Sequence, residues 1–141
     1  MGLDEQSRKD VVQYRIERAY IALEQAKKNL QMKCLEVTAN RLYYAAYYAV
    51  SALLIANKIP SHTHDGCITQ FGLHYVRTGI VSRDMGKLLR KLFTMRQTGD
   101  YSDRFGLTED DVIPFIGSTE NFIEAVTAMA KEQVASMSDE E

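Results

Sequence analysis

The segment from Asn40 to Leu54, NRLYYAAYYAVSALL, offers little for water to face. At 100° per residue, Tyr43, Tyr44, Tyr47 and Tyr48 gather on one arc, and Ala45, Ala46, Ala49 and Ala52 fall roughly on the opposite one. A helix that is apolar on both arcs belongs in an interior, touched on several sides. The alanines let a neighbouring helix come close, whereas each tyrosine brings a large ring and a hydroxyl that needs a partner once buried. Asn40 and Arg41 project beside Tyr44 and Tyr48. Two readings follow: aromatic packing, which is the usual fate of such a stripe, or a polar pocket built from Asn40, Arg41 and Tyr44.

The flanking sequence supplies partner helices. From Arg8 to Met32, the residues Val12, Ile16, Ala19, Leu23, Ala26 and Leu30 recur at steps of four and three, with Arg15, Glu17, Arg18, Glu24, Lys27 and Lys28 expected mostly toward solvent. A break near Lys33 or Cys34 precedes the central helix, which Pro60 forces to end near Asn57. Ser61 or Thr63 caps a short helix with Ile68, Phe71 and Tyr75 on one face, and Gly79 suits its left-handed exit. Ser82 caps a fourth helix with a stripe of Leu88, Leu89, Leu92 and Phe93. Thr108 and Asp111 resemble a capping box before a last long helix, whose first turns Pro114 and Gly117 delay or kink. These segments predict an all-α fold, an antiparallel up-and-down bundle of four long helices plus one short helix. The domain is expected over residues 8–135, between a disordered N-terminus at 1–7 and an acidic disordered tail at 136–141.

One position breaks the pattern. On the stripe of the fourth helix the next member, three residues after Phe93 and four after Leu92, is Arg96. Asp100 stands four residues further, within reach on the same face, and Tyr101 follows it. A buried ion pair retained for folding explains these letters, since removing one partner of such a pair costs about 3–5 kcal/mol. A functional cleft explains them equally.

Composition narrows the remaining classes. With 17 Lys and Arg against 19 Asp and Glu, the chain has no global basic field, although a local basic patch is compatible with this balance. Two cysteines, Cys34 and Cys67, without a CxxC and without a secretory apolar region, predict free thiols and a cytoplasmic location. No apolar run reaches the roughly 20 residues of a membrane span. P-loop, Rossmann and nucleophile-elbow motifs are absent. His62, His64 and Asp65 spell HxHxD, but a zinc site needs three or four ligands, and no metal or cofactor is expected. His64 shares a face with Ile68, Phe71 and Tyr75, so it is placed to point inward.

Taken together, NRLYYAAYYAVSALL, His64-Asp65-Gly66 with Phe71, Val76-Arg77-Thr78-Gly79, and Arg96 with Asp100-Tyr101 resemble the HEPN domain family, in particular its small stand-alone UPF0332 branch. The resemblance covers roughly residues 8–133. It implies a helical bundle, commonly a homodimer, often encoded beside a minimal nucleotidyltransferase with which it forms a toxin and antitoxin pair.

Many members of that family are metal-independent ribonucleases with an Arg-x4–6-His motif. Arg96 matches the arginine by its place on the penultimate long helix, but positions 101 to 103 hold Tyr101, Ser102 and Asp103. Imidazole is the natural proton-transfer group near neutral pH, and a phenol with an ordinary pKa near 10 is a poor substitute. The favoured expectation is therefore a binding module for a minimal nucleotidyltransferase and for a nucleotide or RNA phosphate, with Asn40, Arg41, Tyr44 and His64 as ligand-binding residues. The alternative is a divergent RNA endonuclease toxin in which Arg96, Asp100 and Tyr101 form the catalytic set, with His64 or Tyr101 moving the proton. In a third reading, Tyr101 accepts a nucleotidyl group from the partner.

Overall fold

Small residues set the framework. Ala19, Ala22 and Ala26 on α1 (Glu5–Gln31) and Ala45, Ala46, Ala49 and Ala52 on α2 (Leu35–Ala56) are fully buried, which lets these two helices pack along their length. The computed structural model describes the backbone of residues 3–101 and 106–139, and the side chains of these apart from 99–101, 138 and 139. Between α1 and α2 the chain reverses at Lys33, which adopts a left-handed φ of 60°, and the Cys34 N–H donates to the Asn29 carbonyl at 2.8 Å. So short a connection makes the two helices antiparallel neighbours.

The remaining elements are α3 (His64–Phe71), a π-helical turn (Gly72–Val76), α4 (Arg83–Tyr101), α5 (Glu109–Val112) and α6 (Pro114–Asp139). α1, α3, α4, α5 and α6 all pack on α2, so the segment with no water-facing side is the axis of an all-α antiparallel bundle. Among the described residues there is no strand. Leu23, Leu42, Tyr43, Leu53, Phe71, Leu92 and Ile123 fill the core around that axis.

Local chemistry fixes the helix ends. The Thr63 hydroxyl accepts from the Gly66 N–H at 2.8 Å, the Ser82 hydroxyl from the Met85 N–H at 3.3 Å, and Gly79 turns the chain at φ 82°. The Asp111 carboxylate accepts from the Thr108 N–H at 2.8 Å and from its hydroxyl at 3.0 Å, completing a capping box.

Four features differ from the expectation. α1 starts at Glu5, inside the stretch 1–7 read as disordered, because the Asp4 carboxylate accepts the Ser7 N–H at 2.7 Å and so caps the helix earlier. The last long helix is two pieces, α5 and α6, because Pro114 has no N–H to continue α5 and instead opens α6 at its first position. α6 then runs to Asp139, and Met137, placed by sequence in a disordered tail, is only 4% exposed. Between Phe71 and Arg77 the helix widens, with the Arg77 N–H donating to the Gly72 carbonyl at 2.8 Å, a π-helical turn that periodicity does not reveal.

Candidate functional site

Three elements converge on the tyrosine arc of α2. Tyr43 is fully buried, while Tyr44, Tyr47 and Tyr48 are half-buried at its edge. From α4, Phe93 meets the Tyr43 ring edge-on with centroids 5.5 Å apart. One turn later on the same stripe, the Arg96 guanidinium carbon lies 5.7 Å from the Tyr43 centroid and 5.4 Å from that of Tyr44. The charge that interrupts the apolar stripe is therefore seated on aromatic rings, an attraction worth about 0.5–2 kcal/mol per contact depending on desolvation.

α3 brings the imidazole. His64 is the first helical residue after the Thr63 cap, and its Nδ1 shares a hydrogen bond with the Tyr43 hydroxyl at 2.8 Å. Its ring stacks on Tyr47 with centroids 4.4 Å apart and planes 8° from parallel, and meets Tyr44 edge-on at 5.5 Å. Burial, and secondarily the positive charge of Arg96, hold the imidazole below the usual histidine range. The first turn of a helix also disfavours a cation. At neutral pH this histidine is uncharged, able to donate a proton from one nitrogen and accept at the other.

Arg41 completes the cluster from α2. Its guanidinium lies 5.0 Å from the Tyr44 centroid, and it donates to Asn40 Oδ1 from Nε at 3.0 Å and Nη2 at 2.7 Å, and to Gln25 Oε1 from Nη1 at 3.2 Å. These acceptors are neutral amides, so they orient the guanidinium without cancelling its charge. Burial pushes the phenols of Tyr43 and Tyr47 upward, which keeps them protonated. The arrangement is two guanidiniums, one neutral imidazole and protonated phenols around the Tyr44 ring, a set of donors suited to an anion.

Of the residues singled out in the sequence, the fold brings Arg41, Tyr44, His64 and Arg96 together around one ring, with Asn40 tied to Arg41. Asp100 and Tyr101 lie in the last turn of α4, and their side chains are outside the described residues. Tyr43 and Tyr47, read from sequence as packing, form the walls that hold His64; their signal was their place one residue before and three after Tyr44. Arg15 and Arg18, expected toward solvent, lie over the Tyr48 ring at 5.7 and 5.6 Å. His74 hydrogen-bonds Gln70 on the surface at 3.1 Å and takes no part. Among the described residues, no group of three His, Cys, Asp or Glu side chains gathers to hold a metal ion, and no helix is long and apolar enough to cross a membrane.

An all-α bundle with an arginine of its penultimate long helix lodged on the central helix defines a class, and comparison with known proteins identifies it. The HEPN domain family matches residues 12–132, and the chain belongs to that family. Within it, a UPF0332 protein of Thermotoga maritima is 34% identical over 122 residues, which is 86% of this chain and 92% of the relative. A Methanocaldococcus jannaschii protein named "Putative toxin MJ0605" is 28% identical over 124 residues, 88% of this chain and 92% of the relative. A UPF0332 protein of Archaeoglobus fulgidus is 29% identical over 115 residues, 82% of this chain and 91% of the relative.

Proposed function

We propose that this protein is a toxin-like HEPN module that holds a nucleotide or RNA phosphate in the cleft formed by α2, α4 and the start of α3, and that it acts with a minimal nucleotidyltransferase. The observation that carries the ligand reading is the seating of Arg96 and His64 on the same rings, Tyr43 and Tyr44, with Arg41 over Tyr44. A guanidinium supplies charge and paired N–H donors to phosphate, and the neutral imidazole adds a further donor. Stacked rings beside those groups give a base a surface on which to lie. The toxin-like character is supported by the family and by the name of the Methanocaldococcus relative. The nucleotidyltransferase partner and the homodimer follow from the family resemblance.

Equilibrium binding of a fluorescent single-stranded oligoribonucleotide tests the cleft. Arg96→Gln weakens binding at least about tenfold, the cost expected when a charge-assisted hydrogen bond to phosphate is lost; equal affinity in variant and parent overturns the reading. Co-expression with the product of any adjacent nucleotidyltransferase reading frame, followed by co-purification and sedimentation, tests the partner and the dimer. Two products that do not associate at micromolar concentration overturn that part.

A second reading has its own observation. The histidine missing from positions 101 to 103 has a spatial substitute in His64, which reaches the Arg96 cluster from another helix. In a metal-independent endonuclease, Arg96 would stabilise the charge on the scissile phosphate and His64 would transfer the proton. RNA cleavage in the presence of a chelator that disappears in both Arg96→Ala and His64→Ala establishes this reading over simple binding.

A further inference from the structure

A second cluster of cations lies on the other side of Tyr47. Arg8 and Arg15 of α1 and Lys58 after α2 line an open cavity of about 540 Å³ together with Tyr47, Ser61 and His62. No carboxylate lines it, and among the described residues none of Arg8, Arg15 and Lys58 forms an ion pair. Arg8 donates from Nη1 to the Ile55 carbonyl at 2.9 Å, but its Nε is buried and has no acceptor among the described residues. A buried N–H without an acceptor is costly, and an incoming anion is the kind of partner that would satisfy it. In a chain whose net charge is −2, three cations around one hollow with no carboxylate in its lining make a local basic patch.

The two clusters share a wall. Tyr47 lines this cavity and also stacks on His64, and the Arg15 charge reaches both Tyr47 and the Cys67 thiol behind it. We infer that the Arg8–Arg15–Lys58 cavity is a second phosphate subsite, which takes the neighbouring phosphodiester of a single-stranded RNA whose first phosphate occupies the Arg96 cleft. This deepens the reading of that cleft and rests on it. A basic groove alternating with aromatic faces is the arrangement by which single strands are tracked along their backbone. An acidic protein segment would use the charges but has no need of the aromatic wall between them.

The test is the salt dependence of binding for a fluorescent ten-nucleotide oligouridylate, measured on the full chain by anisotropy. Arg15→Gln combined with Lys58→Asn removes two charges; asparagine is chosen because Lys58 has a φ of 60°, which asparagine tolerates. Arg8 is left intact because it ties α1 to the end of α2. The slope of log K against log salt becomes shallower by about 0.7, the change for one phosphate no longer neutralised on a single strand. Arg15→Lys retains the charge and the parental slope, which separates lost contacts from lost folding. Lys87→Gln with Lys91→Gln, the same charge loss on the separate α4 groove, leaves the slope unchanged.

An equal effect from the two charge-removing pairs, or from neither, overturns the subsite. Weakened binding in Arg96→Gln with a parental slope in the cavity variant overturns the subsite and leaves the cleft standing. A changed slope in the cavity variant with parental affinity in Arg96→Gln overturns the cleft and the two-phosphate track with it. Competition by inorganic phosphate at millimolar concentration and constant ionic strength would assign the cavity to a free anion, against a strand.

Discussion

His64 Nδ1 and the Tyr43 hydroxyl lie 2.8 Å apart, joining the first residue of α3 to the most deeply buried ring of α2. This bond is the partner that a phenol with no solvent exposure requires, and it fixes the imidazole against Tyr47. Substitution Tyr43→Phe keeps the ring that supports Arg96 but leaves the imidazole nitrogen without its partner. The expected loss is about 1–3 kcal/mol, the cost of an unmet polar group at a mostly buried site. Urea unfolding with an unchanged m-value measures it, and an unaltered midpoint would show that the bond contributes nothing net.

The same imidazole makes stability depend on pH. Folding lowers the His64 pKa through burial and through Arg96, while burial pushes the neighbouring phenols of Tyr43 and Tyr47 up and keeps them uncharged near neutrality. The unfolded chain therefore takes up this proton near pH 6.5, and the folded chain only at lower pH. Between those two midpoints the unfolded state binds more protons, so stability falls as pH is lowered and levels off below the folded midpoint. His64→Gln removes that component, and the difference between parental and variant unfolding curves from pH 7.5 to 5 isolates it. In Arg96→Gln the His64 proton resonance titrates at higher pH than in the parent, because a like charge has been removed; a midpoint that does not move places Arg96 too far away to act.

Much of this architecture is visible in the letters because it depends on local rules. Steps of three and four marked α1, α2 and α4, while Thr63 at the start of α3, Gly79 after the π-helical turn, Ser82 before α4 and the Thr108–Asp111 pair at the start of α5 fixed turns and helix starts through local geometry. Arg96 was conspicuous because a charge replaced an expected apolar residue. Its partners were harder to read, since His64 reaches Tyr43 across 21 residues and no periodicity encodes which helix start will meet which ring. Arg15 and Arg18 were assigned to solvent on the same logic, yet their long side chains carry both guanidiniums over the Tyr48 ring. The π-helical turn after Phe71 changes the register of the chain without changing residue type, so composition leaves no trace of it.

The two thiols differ in reach. Cys34 is exposed at the α1–α2 turn, whereas Cys67 is buried and burial pushes its thiol up to about 12. Alkylation by iodoacetamide at pH 8 is expected to label Cys34 alone in the native chain and both residues in urea, as read by peptide mass spectrometry. A thiolate is the reacting form, so a Cys67 that is both covered and protonated is doubly protected. Native labelling of Cys67 at a rate similar to Cys34 would mean that α3 opens readily from α2, and with it the wall of the cleft.

Close approach of α1 and α2 rests on alanines, and a larger side chain there has no space to enter. Ala49 is fully buried on the face of α2 opposite the tyrosines, one turn from Ala45 and Ala46. Ala49→Leu adds three carbons to a packed interior, which forces neighbours off their rotamers and costs about 1–3 kcal/mol despite the greater apolar area. Ala49→Gly costs about 1 kcal/mol through helix propensity instead, without crowding. Because Tyr43 and Tyr47 belong to the same rigid helix, the leucine is expected to displace α2 and alter the His64 proton resonance, while the glycine is not. Thermal unfolding paired with the His64 spectrum distinguishes the two: equal stability loss with identical spectra would show that the alanine face and the tyrosine face of α2 are mechanically independent.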